Sequence, residues 1–232
     1  MTAVAIAILD RDDFSANTDV IVVADDRRRR LTWVPRDLWS PLIANRVNKA
    51  FALGGGDLLL RALAGLRFPC SGALVLRRSA TEAALDGVTV VVPVSERLDF
   101  WYPEHPTRPI EDGRKAIAFD PPQETLRGER IHQWLGARTM IGRPGSDLMR
   151  CDRQQVFLRA LMAQGFDFRA SLADPERYRI TGVDPLPVLG RITADWEMRT
   201  FRRVRDAIVD GKAVLVLERR LRRAVSHLRQ PA

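Results

Sequence analysis

The 232-residue sequence has only two cysteines, Cys70 and Cys151. A disulfide scaffold needs many more, so both read as reduced thiols and favour the cytosol. Three histidines, His105, His132 and His227, are scattered. None lies at metal-ligand spacing from another His or Cys, which argues against a zinc site. No Ser or Cys occupies a nucleophile-elbow pattern. No uncharged run approaches the ~18 residues a membrane helix needs. The start, MTAVAIAIL, lacks a basic leader and runs at once into Asp10, Arg11, Asp12 and Asp13. It predicts a first strand rather than a signal peptide, and hence a cytoplasmic protein.

What the chain has in excess is arginine. The formal net charge is +8. From Arg191 to Ala232 there are 11 Lys/Arg against 5 Asp/Glu, so most of the excess sits at the end of the chain. The expected partner is anionic: phosphate, an acidic polymer or a membrane surface. No nucleic-acid reader motif is present, so nucleic acid is not expected.

The stretch Thr18–Asp37, TDVIVVADDRRRRLTWVPRD, organises the reading. Val20 to Val23 make one β-strand, and Leu31, Trp33 and Val34 begin a second. The charged run Asp25 to Arg30 must reverse the chain in water. Antiparallel pairing then sets Asp19, at the entry of one strand, beside Pro35-Arg36-Asp37 at the exit of the other. Two carboxylates and a guanidinium at one sheet edge have the composition of a divalent-metal and phosphate site. Acidic residues at strand ends also serve ordinary turns.

Ala3–Leu9, Ala73–Leu76, Val88–Val92 and Ala116–Phe119 read as further strands. Helices are expected over 57–66, 79–85, 129–135 and 153–164, the second capped by Ser79 or Thr81. The strand–helix–strand order around 73–92 predicts an α/β sheet with some parallel pairs. Gly54-Gly55-Gly56 is either an anion-presenting loop or a flexible turn feeding a helix. Arg153 and Gln154 fall in the first turn of the 153–164 helix, where a cation opposes the dipole unless an anion is bound. Cys151 adjoins the arginines, which would lower its pKa; it is otherwise a plain helix-start thiol. Trp196–Val209 is expected as a helix with Met198, Phe201, Val204 and Ile208 on one side, followed by a strand at 213–217. The last residues, 217–228, repeat Leu and Val at helical spacing opposite four arginines. They form a basic helix on a membrane surface or a terminal helix docked on the sheet.

The order of these signals resembles the LytR-CpsA-Psr family, phosphotransferases that attach glycopolymers to bacterial cell walls. Ile6–Asp10 resembles its first strand, TDVIVVAD its RxDT strand and LTWVPRD its SIPRD strand. RVNKAFALGG is similar to KINAAYxxGG, and ALDGVTVVV to the lvDxlGGVxVxV stretch. Leu126–Arg138 is similar to LxGxxALxYxR, two residues longer. SDLMRCDRQQ resembles the DxxRxxRQQ signature. The likeness covers about Ala3 to Gly165, which sets the expected organisation: a catalytic domain over 1–165 and a basic helical C-terminal extension over 166–232 packed on it. The fold implied is a single α/β domain with a central mixed sheet flanked by helices.

The resemblance implies roles. Asp19 and Asp37 would hold Mg²⁺ or Mn²⁺. Arg36, Arg46, Arg138 and Arg150 would bind the pyrophosphate of a polyprenyl-linked glycan donor, with Asn48, Arg153 and Gln154 in the same cluster. Asp37, Arg36 and Arg138 would be catalytic, Asp37 taking the acceptor proton. The chemistry is coherent, because phosphoryl transfer needs charge neutralisation and positioning above all. Hard cations prefer carboxylates, and arginine forks match phosphate oxygens. Asn17 stands where the family has the Arg of RxDT, and Met140 where it has the second Arg of RxR. The family also acts outside the membrane, in the cell envelope. The expectation is therefore a metal-assisted phosphotransferase or pyrophosphatase. The alternative is a catalytically silent module binding an anionic glycopolymer or lipid head group.

Overall fold

The computed structural model describes residues 3–104 and 110–218. Its frame is a six-stranded mixed sheet. The first strand, β1 (Ala3–Leu9), pairs antiparallel with β2 (Thr18–Asp25), and β2 with β3 (Arg30–Trp33). The hairpin read from the sequence is thus present, reversing at the arginine run. Gly72–Leu76 lies parallel to β1 on its other side, and Glu197–Thr200 lies parallel to β3. Tyr178–Gly182 completes the sheet antiparallel to Gly72–Leu76.

The parallel pairs expected from the strand–helix–strand order arise elsewhere. After α2 (Arg78–Ala84), the strand Thr89–Pro93 leaves the main sheet and pairs antiparallel with Gln123–Arg127. A three-stranded sheet forms from Leu98–Pro103, Arg114–Phe119 and Thr139–Met140. The 166–218 segment supplies both outer strands of the central sheet. Over 196–209 the expected helix is two strands, Glu197–Thr200 and Val204–Val209. The β-branched Val204, Ile208 and Val209 suit a pleated surface. Ile208 is 73% exposed rather than on a buried stripe. The expected 213–217 strand is Lys212–Leu217, paired with Val204–Val209. The proposed terminal helix over 217–228 lies outside the described residues from 219 onward.

Strand alternation decides what each sheet face carries. Ala5, Ala7, Ile21 and Val23 pack under α1 (Ala50–Gly65) with Leu59, Ala62 and Leu63. Ile6, Ile8, Val20 and Val22 point the other way, toward α2 and α4 (Asp147–Ala163). Both faces are covered, so β1 shows an almost unbroken apolar run in the sequence.

The glycine triplet bends α1. Gly55 sits at φ +63° in the kink. A Cβ on Gly56 would come within 1.9 Å of Thr181 Oγ1, so the helix docks directly on the outer strand. These glycines serve chain geometry. For α2, the cap position belongs to Arg77, and neither Ser79 nor Thr81 caps it. Ser79 Oγ instead bonds Asp12.

Candidate active site

Asp19 owes its position to a β-bulge. Leu9 pairs with Thr18 and Ile8 with Val20, leaving Asp19 without a partner on β1. An unpaired strand residue turns its side chain out of the regular alternation. Here it aims the carboxylate at the turn following β3. Arg36, from that turn, donates to Asp19 Oδ1. Arg150 Nη1 donates to the same oxygen at 2.7 Å, and its Nη2 to the Asp19 carbonyl at 2.9 Å.

Arg150 is 2% exposed and projects from the first turns of α4, whose N-cap is Ser146. Its other partner is Asp147, one turn earlier. Nε and Nη2 reach Asp147 Oδ1 at 3.1 and 2.7 Å. Asp147 Oδ2 accepts the Arg36 backbone N–H at 2.8 Å. Burial alone would lower the Arg150 pKa, but Asp19 and Asp147 outweigh it and raise it. Burial likewise pushes Asp19 up, and Arg150 and Arg36 override it, holding the carboxyl below its ordinary value. Asp147 was overlooked as a site residue, although it is the first residue of the DxxR pattern. The i,i+3 spacing on one helix face was the available signal.

Asp37 forms a second node. Arg46 Nη1 lies 3.5 Å from Oδ1 and Arg138 Nη1 lies 3.6 Å from Oδ2. Burial, and then nearby Arg36, push the Arg138 guanidinium below its ordinary value. The chain after residue 200 braces this node: Leu215 N–H donates to the Asp37 carbonyl at 3.0 Å, and Arg46 Nη2 donates to the Ala213 carbonyl at 2.7 Å. Asp19, in β2, and Asp37, four residues beyond the end of β3, are each held by a pair of arginines, Arg36 and Arg150 for the first and Arg46 and Arg138 for the second.

Other expected site residues are placed differently. Because α4 begins at Asp147, Arg153 and Gln154 lie in its second turn, away from the helix terminus. Arg153 is buried, donates to the Trp134 and Ala137 carbonyls, and stacks over Phe100 at 4.5 Å. Burial, then Arg150, push its pKa down to about 10. It ties α3 (Glu129–Gly136) to α4 rather than facing a ligand. Gln154 lines the cavity described below, its Nε2 3.3 Å from the Leu135 carbonyl and its Oε1 unpartnered. Asn48 is buried beside Thr18, which donates to its carbonyl at 3.3 Å. The Cys151 thiol is pushed up to about 12 by burial, so the arginines do not activate it.

An apolar cavity of about 470 Å³ opens from the Asp19–Arg36–Arg150 cluster. Its walls are Ile6, Ile8, Val20 and Val22 from the sheet and Leu158 and Leu161 from α4. Arg78, Tyr102 and His132 line it as well. Tyr102 belongs to the aromatic run Phe100–Trp101–Tyr102 of the strand Leu98–Pro103. Asp10 Oδ1 and Thr81 Oγ1, also in the lining, are buried without a hydrogen-bond partner.

The family model for LytR_cpsA_psr matches residues 3–173. The chain belongs to the LytR-CpsA-Psr family. Its members are glycopolymer phosphotransferases of the cell wall. Solved structures share the fold. TagT bound to LI-WTA is 17% identical with a TM-score of 0.62, over 93% of this chain and 85% of that one. B. subtilis TagV is 16% identical with a TM-score of 0.60, over 93% and 91%. B. subtilis TagT is 18% identical with a TM-score of 0.60, over 93% and 84%. No curated protein sequence matches the chain. Among the described residues, no helix is long and apolar enough to cross a membrane.

Proposed function

We propose that this LytR-CpsA-Psr protein is a metal-assisted phosphotransferase acting on a polyprenyl-pyrophosphate-linked glycopolymer. One observation carries the reading: an apolar cavity of about 470 Å³ opens from a cluster of arginines and carboxylates. An isoprenoid chain suits such walls, and its pyrophosphate would lie where the guanidinia converge. That TagT, of the same fold, takes LI-WTA supports a glycopolymer-linked lipid as the class of donor.

Arg36, Arg46, Arg138 and Arg150 outnumber Asp19, Asp37 and Asp147, leaving net positive charge for phosphate oxygens. Arg36 and Arg138 would stabilise charge developing on the transferred phosphate. The acceptor hydroxyl attacks the phosphorus bearing the glycan, the bond to the bridging oxygen breaks, and polyprenyl phosphate leaves. The hydroxyl proton passes to the Asp37 carboxylate. With water as acceptor, the same step is pyrophosphatase chemistry.

Mg²⁺ or Mn²⁺ fits the residues present. Asp37 Oδ1 is buried without a hydrogen-bond partner. Asp19 would add a second carboxylate, and hard cations favour such oxygens. Among the described residues no group of three or more His, Cys, Asp or Glu gathers, so substrate oxygens and water would complete the shell. When bound, the ion supplies charge neutralisation at the pyrophosphate.

The test is release of polyprenyl phosphate from a polyprenyl pyrophosphate with Mg²⁺ or Mn²⁺. No turnover by the native protein, or equal turnover by Asp37→Ala, overturns the proposal. A second reading, a silent binding module, draws on Met140, which is 6% exposed and packed in the core where the family carries arginine. Ligand binding that is indifferent to chelator, together with no turnover, would favour it.

A further inference from the structure

A second groove, of about 270 Å³, opens at the far end of the β2–β3 hairpin. It lies about 20 Å from Asp19, the span of six strand residues. Five arginines line it, Arg28, Arg30, Arg67, Arg199 and Arg203, against two carboxylates, Asp25 and Glu218. Arg28 is paired with Asp25 at 2.7 Å and Arg30 with Glu197 at 2.6 Å. Among the described residues Arg67, Arg199 and Arg203 have no carboxylate within 4.0 Å. Ordinary surface arginines separate or find acids, because like charges in contact repel. Partial desolvation, then neighbouring Arg30, push the Arg199 guanidinium below its ordinary value, and a bound anion would relieve that crowding.

The floor of the groove is apolar. Phe68 and Phe201 meet edge to face at 4.8 Å, with Leu217 and Pro69 beside them. The chain builds this with a strained turn. After α1, Arg67 adopts φ +70° and Phe68 N–H returns to the Leu63 carbonyl at 2.9 Å. A left-handed helix end normally takes glycine. Here the position carries a long cation projecting into the groove. Guanidinia at the rim and an aromatic floor are the complement of a phosphate ester with an apolar body.

We propose that this groove is a second anion site, separate from the catalytic cluster, that binds the phosphate of an amphiphile through Arg67, Arg199 and Arg203. The ligand is a phospholipid head group or a soluble alkyl phosphate, which share that chemistry. Either occupant leaves the active-site cavity free. The inference does not depend on the transferase reading, since it is scored by binding alone.

The probes are octyl phosphate by titration calorimetry and vesicles of phosphatidylglycerol with phosphatidylcholine by sedimentation at low salt. The full chain is compared with R67Q/R199Q/R203Q and with the tail variant R219Q/R220Q/R222Q/R223Q. All three groove arginines are exposed, so the triple variant should fold, with its melting temperature within about 3 °C of native. Octyl phosphate should lose one binding isotherm in the groove variant, or weaken there by at least about tenfold, the scale of lost charge-assisted hydrogen bonds. Vesicle binding that falls in the groove variant identifies the lipid source. Loss of octyl phosphate binding with unchanged vesicle behaviour identifies a soluble source. Octyl phosphate affinity within about twofold of native in the groove variant overturns the site. So does vesicle binding abolished by the tail variant alone, with no octyl phosphate isotherm assignable to the groove.

Discussion

Arg150 holds Asp19 at two points, the carboxylate at 2.7 Å and the backbone carbonyl at 2.9 Å. It therefore fixes both the side chain and the bulge that aims it. With Asp147 on its other edge, Arg150 joins α4 to β2 across the mouth of the cavity. Removing it takes away the strongest partner of buried Asp147 and leaves Asp19 with Arg36 alone. Arg150→Ala should lower unfolding free energy by about 3–5 kcal/mol, the usual cost of breaking a buried pair from one side. Arg150→Lys keeps the charge but cannot span both partners, and should fall between. Urea denaturation of the two variants checks the order. Equal midpoints for all three proteins would remove the keystone role.

The same network sets an acid limit. Asp19 has its folded pKa lowered, chiefly because Arg150 and Arg36 overcome the burial that would raise it. A depressed carboxylate contributes stability that is fully present above the unfolded value, about 3.9. That contribution is lost as pH falls from there through the lower folded value. Stability should therefore be level above about pH 5 and fall on the acid side. Asp19→Asn removes the titrating group and should flatten that limb while lowering stability at neutral pH. A native-like acid slope in Asp19→Asn would assign the limb to other carboxylates.

The β2–β3 hairpin and the neighbouring placement of Asp19 and Arg36 were legible because burial and charge alternate sharply there. Asp147 was hidden because the sequence pattern starts the helix at Arg153, which leaves Asp147 in a polar loop, whereas the helix begins at Asp147 itself. The cavity was hidden for a different reason. Ile6, Ile8 and Val20 are apolar in the same way whether they pack on a helix or line a void, and periodicity carries no volume. Residues 197–209 misled because Met198, Phe201, Val204 and Ile208 recur at helical intervals, while pairing with β3 and with Lys212–Leu217 chose strands. Arg153 was assigned to a ligand because its motif lies beside Arg150, yet one helical turn carries it to the α3 side.

The cavity makes a selective prediction. Val20 lines it from β2, directly beside Asp19. Val20→Phe places a ring in the lumen without touching the charged cluster. Activity toward a long polyprenyl pyrophosphate should fall at least about tenfold in kcat/KM, equivalent to about 1.4 kcal/mol of lost binding. A short water-soluble pyrophosphate ester should be turned over as before. Equal losses on both substrates would mean that the ring disturbs the catalytic groups rather than the lipid path.

The C-terminal residues are tied to the site more closely than a surface extension would be. Trp196 is 2% exposed, and Met198 and Thr200 are buried in the strand beside β3. Each large apolar side chain of this kind contributes about 1.5–3 kcal/mol by burial. Leu215 and Ala213 hold the Asp37 backbone and the Arg46 guanidinium. Truncation after Gly190 would strip one edge of the central sheet, uncover Leu31 and Trp33, and release Asp37. The truncated chain should be insoluble or lack a cooperative thermal transition, since so large an apolar surface does not stay in water. Truncation after Glu218 keeps every one of these contacts and should retain a cooperative thermal transition. Circular dichroism melts of the two truncations separate the cases. A cooperative transition near the native temperature in the 190-residue form would show that the outer strand and hairpin are dispensable to the fold.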